Sequence, residues 1–185
     1  MNIIVKPYGS DLCYCRPDTT WERENRDLYS PDCVNEWDWA PVLYARISKA
    51  GKCISPKFVG RYFDSVNFGA MLYISGVGTA FASCTDHTSV LPAPLYDPVV
   101  LEGEGNTFVV TRNGKQIFNT TAGQQIRNLI EEAICKASQL TSLRTGDMVA
   151  VELTAPERLA DREDRTIDFK GTFCGNEIFG YRILF

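Results

Sequence analysis

Histidine is nearly missing from this chain. One residue, His87, stands among 185, which leaves too few imidazoles for a histidine-built metal centre. No long run of one charge occurs either: 19 basic residues face 23 acidic ones, for a net charge of −4. That balance excludes the basic footprint of a nucleic-acid-binding domain. Long apolar runs are also lacking. The longest uncharged apolar stretch, 68–83, is broken by Gly69, Gly76, Gly78 and Thr79, whereas a bilayer span needs about 20 predominantly apolar residues, so no membrane segment is expected. Residues 1–5 have no charged start followed by an apolar middle and a small-residue cleavage site, and a cytoplasmic location is expected. Cysteine is present but unpatterned. Cys13, Cys15, Cys33, Cys53, Cys84, Cys135 and Cys174 are odd in number and fit neither a disulfide scaffold nor a zinc motif. Free thiols are expected, and the Cys13-x-Cys15 pair has no second pair downstream.

What is there reads as one globular domain over 1–185, with 44% hydrophobic and 23% charged residues. The spacing of Ile126, Leu129, Ile130, Ala133, Ile134 and Ala137 predicts an amphipathic helix over 123–140. Thr121 and Gln124 have the form of a capping box at its start. A shorter helix is expected to open at Ser55-Pro56 and to bury Val59, Tyr62, Phe63 and Val66. Strands are expected at 3–5, 42–47, 71–75, 108–111, 116–118, 148–153, 166–169 and 178–184. Asn113-Gly114 supplies the positive φ angles of a tight hairpin turn between two of them. Many short strands with one long and one short helix predict a mainly β fold with packed helices (α+β), a twisted roll or barrel.

The order of several segments is similar to one family. Arg16-Pro17-Asp18, Arg46-Ile47, Gly51-Lys52-Cys53-Ile54-Ser55, Arg61-Tyr62-Phe63-Asp64-Ser65-Val66 and Gly69 are followed by Asn113-Gly114-Lys115, Asn119-Thr120-Thr121, the long helix and Thr145-Gly146-Asp147. This succession resembles the fumarylacetoacetate hydrolase family from about Asp11 onward. The resemblance implies a barrel-like β-roll. It also implies a site where a Glu-x-Glu pair and a later Asp hold magnesium or calcium, which polarises the oxygens of a small keto acid for hydrolysis, decarboxylation or isomerisation.

Carried over residue by residue, that site is altered. The two glutamate positions fall on Ala40 and Val42 and the aspartate position on Met71, so no metal and no cofactor is expected. The family's lysine matches Cys84, and a neighbouring threonine matches Thr88. Its glycine-rich substrate turn becomes Val151, Glu152, Leu153 and Thr154, and its histidine loop is absent after Val5.

Local substitutes for that site are few. Cys84, Asp86 and His87 lie close together as a possible nucleophile and base, although neighbours on an extended segment point apart. Glu36 and Asp38 would serve as a shifted carboxylate pair only after a register slip; a solvated loop edge is the expected role. The stretch 102–105 reads as a turn, not a phosphate loop. Residues 161–165 read as an exposed mixed-charge loop. Met71 and Tyr73 are expected to face the former metal cavity. The sequence therefore points to a pseudoenzyme of this family that works as a binding or assembly partner, as a homodimer or with a homologous protein. The alternative is a metal-free hydrolase or decarboxylase of a small keto-acid-type substrate that uses Cys84, His87 or Thr88.

Overall fold

The computed structural model describes every residue from Met1 to Phe185 except Glu104, together with the side chain of Thr79. Glu104 belongs to the expected turn at 102–105 and lies outside the described residues. Strands β1 (Ile3–Lys6), β2 (Tyr14–Arg16), β3 (Trp21–Glu22), β4 (Leu28–Tyr29), β5 (Glu36–Ile47) and β6 (Phe63–Ile74) come first. The short helix α1 (Thr79–Ala82), β7 (Ser89–Val90), β8 (Thr107–Arg112) and β9 (Lys115–Thr121) follow. The long helix α2 (Gln124–Leu140) then precedes β10 (Met148–Glu152), β11 (Glu157–Asp161), β12 (Thr166–Phe173) and β13 (Asn176–Leu184). No described helix is long and apolar enough to cross a membrane.

Two sheets form. The larger runs β2-β1-β10-β5-β6-β7-β3, with β11 also on β5, and the smaller runs β4-β13-β12-β8-β9. β1 pairs with β10 in parallel, Ile3 opposite Met148, while β5 lies antiparallel to both β10 and β6. Alternation along these strands sorts side chains onto two faces. Trp39, Leu43, Ala45, Phe68, Leu72, Val149 and Val151 join one apolar cluster with Phe108, Phe169 and Phe173 of the smaller sheet and with Ile130, Ala133, Ile134 and Ala137 of α2. Ile3, Val5, Ala40, Val42, Tyr44, Met71, Met148 and Ala150 form a second cluster on the opposite face.

That second face is concave. β2 and β6 are separated by β1, β10 and β5, which on a flat sheet would hold them roughly 19 Å apart. Yet the Tyr14 and Tyr73 hydroxyls lie 2.7 Å from each other. The sheet therefore curls into a half-barrel around this cluster. Gly69 permits the close approach of the neighbouring β7, since a Cβ there would sit 2.2 Å from the carbonyl oxygen of Val90.

The expected β-rich architecture with a long packed helix is observed, and four local expectations change. Thr121 ends β9, so the Thr121–Gln124 capping box does not form; Gly123 is the N-cap and the Gln124 amide donates to Asn128. The short helix is a 3-10 turn, Pro56–Arg61, which buries Val59 while Phe63 and Val66 belong to β6. β5 starts at Glu36, so Glu36 and Asp38 are strand residues rather than a loop edge. Residues 161–165 close β11 and form a capped 3-10 turn, Arg162–Asp164, in which the Asp161 carboxylate accepts from the Glu163 N–H. At the β8–β9 turn, Asn113 and Gly114 adopt φ of +50° and +75°, as a tight hairpin requires.

Candidate functional site in the concave face

Along β5 the side chains of Asp38, Ala40, Val42 and Tyr44 alternate onto the concave face. Cross-strand pairing places Tyr73 opposite Asp38, Met71 opposite Ala40, and both Gly69 and Glu152 opposite Val42. Residues paired across strands share a face. Glu152 therefore joins Asp38 and Tyr73 where the concave face opens to a cleft of about 310 Å³, whose walls include Tyr8, Tyr14 and Val77.

A buried polar network underlies the cleft. Tyr73 donates its hydroxyl hydrogen bond to Glu152 Oε1, the backbone N–H of Tyr8 donates to Oε2 at 2.9 Å, and the Tyr14 hydroxyl lies 2.7 Å from that of Tyr73. Burial raises the Glu152 carboxyl above the ordinary glutamate range; the donors Tyr73 and Tyr8 and the Arg16 charge oppose the rise. Burial also pushes Tyr14 up to about 12 and Tyr73 well above a free phenol, so both stay protonated donors at neutral pH.

Beneath Tyr73 lies Arg16, 1% exposed. It donates from Nη1 to Met71 Sδ at 3.4 Å and from Nη2 to the Leu72 carbonyl at 3.1 Å and Thr88 Oγ1 at 2.5 Å. Its Nε has no partner, and its guanidinium lies 5.2 Å from the Tyr73 ring centroid. No carboxylate pairs with it among the described residues. This is an uncommon way to hold a buried cation.

No protein-family model matches the chain, and no curated protein matches it by sequence. Solved structures do match over its length. Fumarylpyruvate hydrolase from Pseudomonas aeruginosa, solved with Mn2+ and pyruvate, aligns over 100% of this chain and 89% of its own at 13% identity, with a TM-score of 0.78. A Yersinia pestis CO92 protein assigned to the fumarylacetoacetate hydrolase family covers 99% of this chain and 92% of its own at 14% identity, TM-score 0.78. The 5-carboxymethyl-2-hydroxymuconate delta-isomerase of Mycobacterium smegmatis covers 99% and 78% at 12% identity, TM-score 0.76. The fold is that of the fumarylacetoacetate hydrolase family.

Within this fold, the three positions that the sequence resemblance assigns to the family's metal ligands do converge. Ala40 pairs with Met71, and Val42 lies two residues along the same face. All three are 0% exposed inside the concave apolar cluster. Their side chains carry no oxygen donor and do not fit a hard cation, which takes six or more oxygens. Among the described residues, no group of three histidine, cysteine or carboxylate side chains is placed to hold a metal ion.

Cys84, His87 and Thr88 are dispersed. Cys84 is exposed just after α1, its thiol 3.4 Å from the Ala80 carbonyl. His87, at a φ of +58°, turns outward and pairs through Nδ1 with Glu22 at 3.0 Å, on the wall of a larger surface cleft of about 640 Å³. Thr88 is fully buried and receives the hydrogen bond from Arg16. No hydrogen bond joins Cys84 to His87 among the described residues. Of Val151, Glu152, Leu153 and Thr154, the first two end β10, with Val151 on the outer face and Glu152 on the concave one.

Sequence reading missed Tyr14 and Arg16 as neighbours of the site and treated Glu152 only as a lost turn. The available signal was alternation: Tyr14 and Arg16 stand two apart on a strand, as do Asp38, Ala40 and Val42.

Proposed function

We propose that this protein uses the fumarylacetoacetate hydrolase fold for binding or assembly rather than for metal-dependent keto-acid chemistry. The observation that carries this reading is the burial of Ala40, Val42 and Met71 in an apolar cluster where an oxygen-rich metal shell would have to stand. The partner is a second copy of the chain or a homologous protein of the same fold, which a two-fold interface between similar subunits would accommodate. Calorimetric titration with magnesium, manganese and calcium is expected to give no saturable heat. Acylpyruvates and oxaloacetate are expected to be stable in the presence of the protein and either transition or alkaline-earth ions. Metal-dependent turnover by the unmodified chain would defeat the reading.

The Tyr14–Tyr73–Glu152 chain favours a second reading, a metal-free hydrolase or decarboxylase of a small keto-acid-type substrate. Glu152 would then be the proton-transfer group in place of Cys84, His87 or Thr88, since it has a phenol donor and borders the cleft. Metal-independent turnover abolished by Glu152→Gln would select this reading over the first.

A further inference from the structure

The cleft has a one-sided charge. Asp38 and Glu152 are the carboxylic acids on its walls, and among the described residues no lysine, arginine or histidine lines it. The basic residues nearby are engaged elsewhere. Lys6 reaches Glu132 of α2 at 3.7 Å on the other face of the sheet; Arg158 lies opposite Asp38 across β11 and β5, but its guanidinium takes Glu36 at 2.5 Å and it is not among the cleft walls. Arg16 lies behind the Tyr73 ring and is absent from the cleft walls. Asp38 makes no ion pair among the described residues. The remaining walls are rich in aromatic and apolar groups: Tyr14 and Tyr73 inside, with Tyr8 58% and Val77 42% exposed. Phe81, 70% exposed, adds a further apolar ring on α1 beside the cleft residue Ala82. The volume, about 310 Å³, is at the small end for ligand sites.

We propose that this cleft binds a small organic cation, an ammonium group carried on an apolar body, with Asp38 as counter-ion and the tyrosines as its aromatic wall. The inference rests on the reading that the concave face binds rather than hydrolyses, and it supplies the ligand class for that binding. Ring faces attract ammonium groups through their quadrupole, and a carboxylate lacking a protein partner gains most from a ligand that brings the opposite charge. An anionic keto acid would enter against two acidic side chains with no cation on the walls to receive it. Glu152, already holding two hydrogen bonds, marks the inner end of the cleft, and the apolar residues around it give the ligand's body a surface to cover.

The test uses two probes with closely similar apolar bodies and opposite charge, 2-phenylethylammonium and 3-phenylpropionate, titrated calorimetrically into the full chain with a chelator present. The ammonium probe is expected to bind at least about tenfold more tightly than the carboxylate. Asp38→Asn should weaken the ammonium probe about tenfold and, by removing one of the two like charges, leave the carboxylate probe bound as well as before or better, with an unaltered melting temperature showing that the fold is intact. Asp38→Lys should reverse the preference. Equal or tighter binding of the carboxylate, no saturation by the ammonium at millimolar concentration, or an unchanged preference in Asp38→Asn would overturn the proposal. Because metal is excluded from this measurement, its failure is separate from metal-dependent turnover, which would defeat the functional reading itself.

Discussion

On the outer face of the large sheet, Trp39, Leu43, Ala45, Phe68 and Val149 meet the second sheet and α2 through side chains that are almost wholly apolar. On the concave face, Ile3, Val5, Ala40, Val42 and Met71 are just as dry, yet Arg16, Tyr14, Tyr73, Thr88 and Glu152 are packed among them. Both faces bury enough apolar surface to stabilise the sheet; one of them also carries polar groups whose desolvation costs free energy. Packing alone gives no reason to keep such groups, so their concentration on one face is what distinguishes the concave side from the outer one.

The largest expected effect belongs to the outer face. Ile130, fully buried on α2, faces the main apolar cluster. Ile130→Asp should cost about 3 to 5 kcal/mol, as an uncompensated buried charge does, and leave the protein unfolded or aggregated by circular dichroism. An unchanged melting temperature would remove the basis for treating that face as the structural one.

Arg16→Met probes the other side. It replaces an unpaired buried cation with a shorter, flexible apolar side chain next to Met71 and Tyr73. Urea unfolding should shift by no more than about 1 kcal/mol in either direction. A loss above about 3 kcal/mol would mean that the guanidinium holds β2 against β6, and that the concave face depends on its polar network for stability as well.

The effect of Glu152 is directional. Its folded-state carboxyl titrates above its ordinary value of 4.5, so between those two points the folded protein holds more protons than the unfolded one. Stability attributable to this group is therefore greatest at low pH and falls as pH rises from about 4.5 through the folded-state value. Compared with the parent, Glu152→Gln should gain stability as pH increases across that window, read as a divergence of the two melting curves with pH. Convergence instead would place Glu152 outside the buried network. Smallest of all, Asp38→Asn should change stability by less than about 0.5 kcal/mol, because a half-buried carboxylate without an ion-pair partner contributes little to folding.

The outer face was the easier to read from the sequence. Ile126, Ile130, Ala133, Ile134 and Ala137 lie on one helical stripe, and Asn113-Gly114 specifies its turn locally. Ala40, Val42 and Met71 were legible as one group only through the resemblance in segment order, which does not depend on the side-chain chemistry at those positions. The network around Arg16 was harder to see. Tyr14, Tyr73 and Glu152 come from three strands far apart in the chain, and only the curl of the sheet brings them together. The two-residue strands β3, β4 and β7 left no periodicity to detect. β5 was read too short because Pro41 interrupts a run that Trp37 and Trp39 had already begun on the buried side.

The parallel pairing of β1 with β10 also bears on the order of assembly. The ties at this seam, such as the Asn2 N–H to Asp147, join residues 145 apart, whereas β8 and β9 meet across a turn of two residues. At about 5 to 20 residues per second of synthesis, the Ile3-Ile4-Val5 segment waits roughly 7 to 30 s before its partner leaves the ribosome. During that interval β1 lacks its β10 neighbour and has only β2 beside it, which is itself tied to β6 through Tyr14 and Arg16. The cleft, with Tyr14 on β2 and Glu152 on β10, is thus among the last parts of the molecule to be completed.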